Sequence, residues 1–88
     1  MDDKQRTIAD AIMNYLSETL RIPREEIGYD TPLFGEGIGL DSVDSLEIIA
    51  GMDTLFGVSL MGVNDGVLKD VSTISKYVID HPGYKERA

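Results

Sequence analysis

A chain of 88 residues, of which 42% are hydrophobic, is long enough for one small folded domain and too apolar for a disordered tail. It contains no cysteine, which excludes disulfides and thiolate metal sites and agrees with a reducing environment. Its formal net charge is −8, and residues 25–68 hold nine acidic residues but no Lys or Arg. Nucleic acid, which needs basic patches, is therefore excluded as a partner. The acidic segment predicts either docking to a basic protein surface or only a solvated face that aids solubility.

The sequence predicts neither export nor membrane insertion. Residues 1–5 are mostly charged or polar and no apolar run follows them, so we expect no signal peptide. No stretch approaches the roughly 20 apolar residues that cross a bilayer. We therefore expect a cytoplasmic protein.

Residues 5–20 are predicted to form an amphipathic helix that ends before Pro23. Its apolar side chains recur at the three- and four-residue spacing of one helical face: Ile8, Ile12, Tyr15, Leu16 and Leu20. Residues 21–40 are too rich in Pro and Gly for a regular element. Because this long stretch also contains several apolar side chains, it predicts a loop that is pinned to the core.

A second helix is predicted over residues 42–56, with Asp41 or Ser42 as its N-cap. Gly57 stands where a C-terminal glycine is expected. The apolar stripe of this helix, which we expect to face the core, consists of Leu46, Ile48, Ile49, Met52, Leu55 and Phe56.

Two further segments complete the predicted fold. Residues 61–68 are interrupted by glycine and predict a turn or a single helical turn. A last helix is predicted over residues 72–80, capped by Asp70 or Ser72. The fold class is therefore all-α: a small four-helix bundle, with three main helices, one short helix and a long first loop.

Ser42 stands where the long loop meets the second predicted helix. The first N–H groups of a helix have no internal partners, and the helix dipole places partial positive charge there. A phosphate ester on this hydroxyl would be stabilised for the same reasons that free phosphate binds helix N-termini. From helix physics alone, the simpler interpretation is that Ser42 is only an N-cap, which stabilises a helix by about 1 kcal/mol.

Residues 41–49 read Asp-Ser-Val-Asp-Ser-Leu-Glu-Ile-Ile, and Phe56 follows Ser42 by fourteen positions. This run resembles the attachment motif of acyl carrier proteins, in which a helix-ending Phe follows the phosphopantetheine-bearing serine at that separation. Residues 57–60 are similar to the segment that follows this Phe in the family. The resemblance extends weakly over nearly the whole chain.

A second Asp-Ser-Leu run, one helical turn on, offers Ser45 as an alternative attachment residue. Ser45 would place Phe56 three positions too near, so Ser42 is the predicted site. The sequence departs from the family at Val43, where Leu is usual, and in a loop at residues 32–40 that is richer in Gly. That loop looks more like the loops of carriers in specialised, polyketide-type pathways than those of housekeeping fatty-acid carriers.

The resemblance implies one acyl-carrier domain over residues 1–88, with no catalytic residue of its own and no metal site. A phosphopantetheinyl transferase would move a 4'-phosphopantetheine arm from coenzyme A to Ser42. The arm would then hold acyl intermediates as thioesters for fatty-acid or polyketide-type biosynthesis. A ketosynthase and other acyl-processing enzymes would dock through basic surfaces on a monomeric carrier.

The resemblance also implies which side chains these enzymes and the cargo would meet. The expected partner-binding residues are Asp41, Val43, Asp44, Glu47 and Asp53, and Leu46 or Ala50 would add to the apolar contact at Val43. A cavity between the helices that shelters the acyl chain would be lined by residues such as Ile48, Ile49, Met52 and Ile74, although plain core packing is the simpler interpretation of each of these residues.

Three alternative functions compete with that of an acyl carrier. A serine hydrolase needs a base, but the only histidine, His81, lies near the other end of the sequence, and there is no Gly-x-Ser-x-Gly motif. An EF-hand loop that starts at Asp41 would place Leu46 where Gly is required and Met52 where a bidentate Glu is required. A peptidyl or aminoacyl carrier would use Ser42 in the same way, and it stays the open alternative, although the strong acidity favours acyl cargo.

Overall fold

The periodic segments of the sequence fold into three α-helices joined by irregular connections. The computed structural model describes residues 2–63 and 65–84. In chain order the helices are α1 (Asp3–Leu20), α2 (Ser42–Phe56) and α3 (Val71–Asp80). Among the described residues there is no β-strand, and only an isolated bridge joins Phe34 to Leu40. The all-α prediction is confirmed.

The connections contain two short 3₁₀ helices, Arg24–Glu26 and Asp65–Leu68. The second of them lies in segment 61–68, where the sequence predicts one short helix, and position 64 of that segment lies outside the described residues. Four residues of 3₁₀ helix are a turn and not a further helix of a bundle. The four-helix count is therefore not confirmed.

α1 begins earlier than its apolar pattern indicates because Asp2 caps it. The Asp2 carboxylate accepts the Gln5 N–H at 2.8 Å, and such an N-cap stabilises a helix start. The helix ends where Arg21 takes the left-handed conformation with a φ of 57°. Its predicted inward face is confirmed, because Ile12 and Leu16 are fully buried.

α2 and α3 pack against α1, and most of the apolar residues that the sequence predicts to face the core are buried. The residues that they bury include Ile48, Met52, Phe56, Ile74 and Val78. Leu46, which belongs to the predicted apolar stripe and is also offered for a docking contact beside Val43, is 60% exposed. α2 has apolar residues on several sides, so periodicity alone does not identify which side faces the core. Gly57 ends α2 with a φ of 70°, as predicted.

The long loop is tied to the helices at several points. Leu33 is fully buried, and its N–H donates to the Lys69 carbonyl at 2.9 Å. The Tyr29 carbonyl accepts the Ser72 N–H at 2.8 Å. The Tyr29 hydroxyl donates to the Asp10 carboxylate on α1 at 2.8 Å, and this hydrogen bond raises the pKa of Tyr29 above its ordinary value. The prediction of a pinned loop is confirmed.

α1 meets α2 where the Tyr15 ring lies on Gly51. The ring is so close that a Cβ at position 51 would overlap it. The Tyr15 hydroxyl donates to the Glu47 carbonyl at 3.0 Å, one turn earlier on α2. The missing side chain at position 51 therefore allows both an apolar contact and a hydrogen bond between the two helices.

Asp70→Ala is expected to lower the free energy of unfolding by about 2 kcal/mol. Asp70 is the N-cap of α3, its carboxylate accepts the Thr73 N–H at 2.8 Å, and it is only 6% exposed. Alanine would leave that N–H without its partner in a place that water reaches poorly. Urea denaturation measures the loss.

The matched control is Asp2→Ala, which removes the exposed N-cap of α1 and a hydrogen bond that is also 2.8 Å long. Water can replace the lost acceptor there, so the loss is expected to be about half as large. Equal losses for the two variants would contradict a role for the burial of Asp70.

Candidate functional site

The first turn of α2 is held by two aspartates. The Asp41 carboxylate accepts the Asp44 N–H, and the Asp44 carboxylate accepts the Asp41 N–H, each at 3.1 Å. This reciprocal capping box satisfies N–H groups that a helix start otherwise leaves without partners. Of the two predicted N-caps, Asp41 is the one in use, and Ser42 is not.

Ser42 is the first residue of α2, and it is exposed. Within residues 2–63 and 65–84, its hydroxyl makes no hydrogen bond. The backbone N–H groups of Ser42 and Val43 also have no partner there. Since the helix dipole places partial positive charge on these groups, an anion attached to the hydroxyl would meet open donors.

The loop before α2 folds back on itself and ends at the first residue of that helix. The Ile38 N–H donates to the Pro32 carbonyl at 2.9 Å. The Leu40 N–H donates to the Leu33 carbonyl, also at 2.9 Å. Gly37 passes so close to the Pro32 carbonyl that a Cβ at this position would overlap it. This close approach requires glycine and accounts for part of the Gly-rich composition of the loop.

A cavity of about 440 Å³ lies beside Ser42. It is open to solvent on one side and bordered by the loop, the start of α2 and the end of the second 3₁₀ helix. Its apolar walls are formed by Pro32, Phe34, Leu40 and Leu68. Ser42 and Ser45 contribute to its polar side. A space of this size falls in the range of small-molecule pockets.

This cavity is not the one that the sequence predicts. Ile48, Met52 and Ile74 are fully buried in the core, and Ile49 is partly buried against it. None of these residues lines the space beside Ser42. The alternative interpretation of these residues, plain packing in the core, is the one that their burial supports, whereas the loop forms the open space beside Ser42.

The predicted docking residues lie at the start of α2 and along its length. Val43 is 66% exposed. Asp41, Glu47 and Asp53 are also exposed, whereas Asp44 is half-buried in the capping box. The structure therefore leaves four of these five side chains accessible to a partner.

Leu46, which the resemblance offers for an apolar contact beside Val43, is exposed, and Lys69 is a further residue that is not predicted from the sequence. Leu46 comes three residues after Val43, so both lie on the same side of the helix. Lys69 lines the cavity beside Ser42, and sequence reasoning missed it. Its signal in the sequence is its place as the first basic residue after the acidic segment 25–68.

Ser45 is engaged with its own helix. Its hydroxyl donates to the Ser42 carbonyl at 2.6 Å, and the residue is half-buried. The Ser42 hydroxyl makes no hydrogen bond among the described residues, so it is the more available of the two hydroxyl groups.

Comparison with known proteins identifies the kind of domain. Residues 10–78 match the protein family described as the phosphopantetheine attachment site. The chain belongs to this family. Members of the phosphopantetheine attachment family are carriers without catalytic activity, and they hold 4'-phosphopantetheine covalently. No curated protein matches the chain.

The start of α2 fits the phosphopantetheine of this carrier family. Ser42 offers a hydroxyl that the helix does not use, and the adjacent N–H groups suit a phosphate. The cavity beside it offers an apolar wall, and Lys69 adds a positive charge to its lining. These residues could hold the group without any change in the hydrogen bonds that cap the helix.

The His81 ring forms a hydrogen bond within the turn that follows α3. Its Nδ1 accepts the Gly83 N–H at 2.9 Å, and its ring centroid lies 5.8 Å from that of Tyr77.

Across residues 2–63 and 65–84, no group of three or more His, Cys, Asp or Glu residues could hold a metal ion. No helix in the part of the chain that the structure describes is long and apolar enough to cross a membrane.

Proposed function

We propose that this chain is an acyl carrier protein, which holds acyl intermediates as thioesters on a 4'-phosphopantetheine arm at Ser42 for fatty-acid or polyketide-type biosynthesis. The observation that best supports Ser42 is its exposed hydroxyl, which starts α2 without capping it. The proposal includes one carrier domain over residues 1–88 that acts as a monomer. A cytoplasmic location stays a prediction from the sequence.

In the loading reaction, the chain presents one nucleophile in a fixed place. The Ser42 oxygen loses its proton and bonds to the phosphorus of the pantetheine phosphate of coenzyme A, while the adenosine bisphosphate part leaves. The hydrogen bonds between Asp41 and Asp44 hold the turn, so the N–H groups of Ser42 and Val43 remain open beside the new ester. When bound, the arm supplies the thiol that holds the cargo, a group that the chain itself lacks.

The proposed docking surface consists of Asp41, Val43, Leu46, Glu47 and Asp53. Its carboxylates attract a basic enzyme surface over a distance and speed the encounter. The exposed side chains of Val43 and Leu46 supply an apolar contact once the two proteins meet. A phosphopantetheinyl transferase, a ketosynthase and other acyl-processing enzymes are the proposed partners, since each must reach the arm beside this surface.

Glu47→Lys is expected to slow loading by a phosphopantetheinyl transferase about 10-fold in kcat/KM at low salt. The change replaces attraction to a basic partner by repulsion, and the Glu47 side chain is exposed. Glu18→Lys makes the same change of charge at an exposed position on α1 and is expected to load nearly as fast as wild type. Rates from intact mass spectrometry measure the effect, which should shrink in about 0.5 M salt. Equal slowing in both variants would contradict a local docking surface.

Intact-mass analysis of the wild-type chain tests the proposed function directly. The protein is incubated with coenzyme A, magnesium and a broad-specificity phosphopantetheinyl transferase, and a gain of one phosphopantetheine is expected. The loaded protein is then offered to a malonyl transacylase and, separately, to amino-acid adenylation enzymes. Transfer by the transacylase alone supports an acyl carrier. Transfer by an adenylation enzyme alone would favour the peptidyl or aminoacyl carrier instead.

A further inference from the structure

Lys69 is the one basic side chain among the described residues that line the cavity beside Ser42. It directly follows the second 3₁₀ helix, and its carbonyl accepts the Leu33 N–H at 2.9 Å. Because Leu33 is fully buried, this hydrogen bond fixes the backbone of Lys69 to the loop. The base of the side chain is therefore held in place at the cavity.

The Lys69 ammonium group has no acidic partner within residues 2–63 and 65–84. Asp30 and Asp70 border a neighbouring cavity together with Lys69, but neither forms an ion pair with it within 4.0 Å. By contrast, Lys76 on α3 pairs with Asp80 at 2.9 Å. The charge of Lys69 is thus not neutralised by an acidic side chain of the described residues.

The chain segment around the start of α2 contributes no positive side chain of its own. Asp41 and Asp44 place two carboxylates around its first turn, and residues 25–68 contain no Lys or Arg. A phosphodiester on Ser42 would add another negative charge, which the open helix N–H groups offset only in part. An ammonium group forms charge-assisted hydrogen bonds with phosphate oxygens. Lys69 is therefore suited to neutralise the part of the phosphodiester charge that the helix N–H groups do not offset.

We propose that Lys69 forms an ion pair with the phosphodiester at Ser42 and thereby directs the arm along the apolar wall of the cavity. The inference rests on attachment of the arm at Ser42. Lys69 binds the phosphate after the ester has formed and takes no part in forming it. The pairing limits the directions in which the arm leaves the carrier, and it keeps the first part of the arm beside Phe34 and Leu40.

The test compares the unmodified and loaded forms of wild type, Lys69→Met and Lys76→Met. Methionine keeps an unbranched stem and removes the charge, and Lys76 supplies the same loss of charge on α3, away from the cavity lining. Each protein is loaded by a broad-specificity transferase, and intact mass confirms the modification. Melting temperatures of both forms are then measured in about 20 mM salt, where electrostatic effects are large.

Loading is expected to change the melting temperature of wild type and Lys76→Met little. It is expected to lower that of Lys69→Met by about 3 °C, because the new charge then lies uncompensated beside Asp41 and Asp44. The difference should disappear in about 0.5 M salt. A second readout is the phosphorus NMR resonance of the arm, which should shift in Lys69→Met, stay near its wild-type position in Lys69→Arg, and not move in Lys76→Met.

The outcomes separate the two proposals. A wild-type chain that gains no arm overturns the carrier function and the Lys69 pairing together. If all variants are loaded but Lys69→Met shows the same melting temperatures and phosphorus resonance as Lys76→Met, the pairing is overturned and the carrier function stands. Effects confined to Lys69→Met, and restored in Lys69→Arg, support the pairing.

Discussion

Ser42→Ala is expected to abolish loading with phosphopantetheine while the protein stays folded. The substitution removes the only oxygen of that side chain, so no ester can form at this position. It removes no hydrogen bond among the described residues, because Asp41 and Asp44 cap the helix. Alanine is also a better helix former than serine. The free energy of unfolding should therefore stay within about 0.5 kcal/mol of wild type.

Ser45→Ala is the matched control for this experiment. It removes a hydroxyl one turn away, and with it a hydrogen bond of 2.6 Å to the Ser42 carbonyl, but leaves the proposed nucleophile in place. It should be loaded to the same extent as wild type, as intact mass would show. Thermal melting by circular dichroism shows whether both variants are folded. Loading that persists in Ser42→Ala and is lost in Ser45→Ala would move the arm to Ser45.

Gly51→Ala is expected to lower the free energy of unfolding by about 2 kcal/mol. A methyl group at this position would overlap the Tyr15 ring. The ring would have to swing away, which breaks the hydrogen bond from its hydroxyl to the Glu47 carbonyl and opens the contact between α1 and α2. In a domain this small, such a loss is a large share of the total stability. Urea denaturation measures it.

Gly51→Ala should stabilise the protein, instead of destabilising it, when the Tyr15 ring is absent. In a Tyr15→Ala background the methyl group at position 51 has space, and alanine in place of glycine within a helix stabilises by up to about 1 kcal/mol. Gly51→Ala should then raise the free energy of unfolding relative to Tyr15→Ala alone, and this double-mutant cycle isolates the contact. If Gly51→Ala destabilised both backgrounds equally, the ring would not be the cause.

The helices and the position of Ser42 could be predicted because they depend on local patterns. The spacing of Ile8, Ile12 and Leu16 predicts α1, and these side chains are buried. A serine between a Gly-rich loop and a helical run was expected at the helix start, where it lies. Choosing between Asp41 and Ser42 as the cap was not possible from the sequence, since both residue types cap helices about equally well.

The cavity could not be predicted because its walls come from distant parts of the chain. Its shape depends on the close passage of Gly37 over the Pro32 carbonyl and on the hydrogen bond from Leu33 to Lys69. Neither contact leaves a periodic signal, so the sequence offers only apolar residues of the helices as a possible lining, and core packing is the simpler interpretation of those residues. Leu46 belongs both to the predicted apolar stripe and to the apolar docking contact that the resemblance implies, and periodicity alone could not decide between them, since apolar residues occur on several sides of α2.

At the start of α2, the residues that cap the helix are different from the residue proposed to carry the arm. Asp41 and Asp44 fix the turn through their own carboxylates and N–H groups, and Ser42 contributes no side-chain bond to it. Under the proposed function, the arm is therefore attached without loss of a hydrogen bond of the cap. An enzyme that must tell a loaded carrier from an empty one then cannot rely on a broken cap at the start of the helix. It has to recognise the arm or its cargo, and the empty carrier competes with the loaded one for the same docking surface.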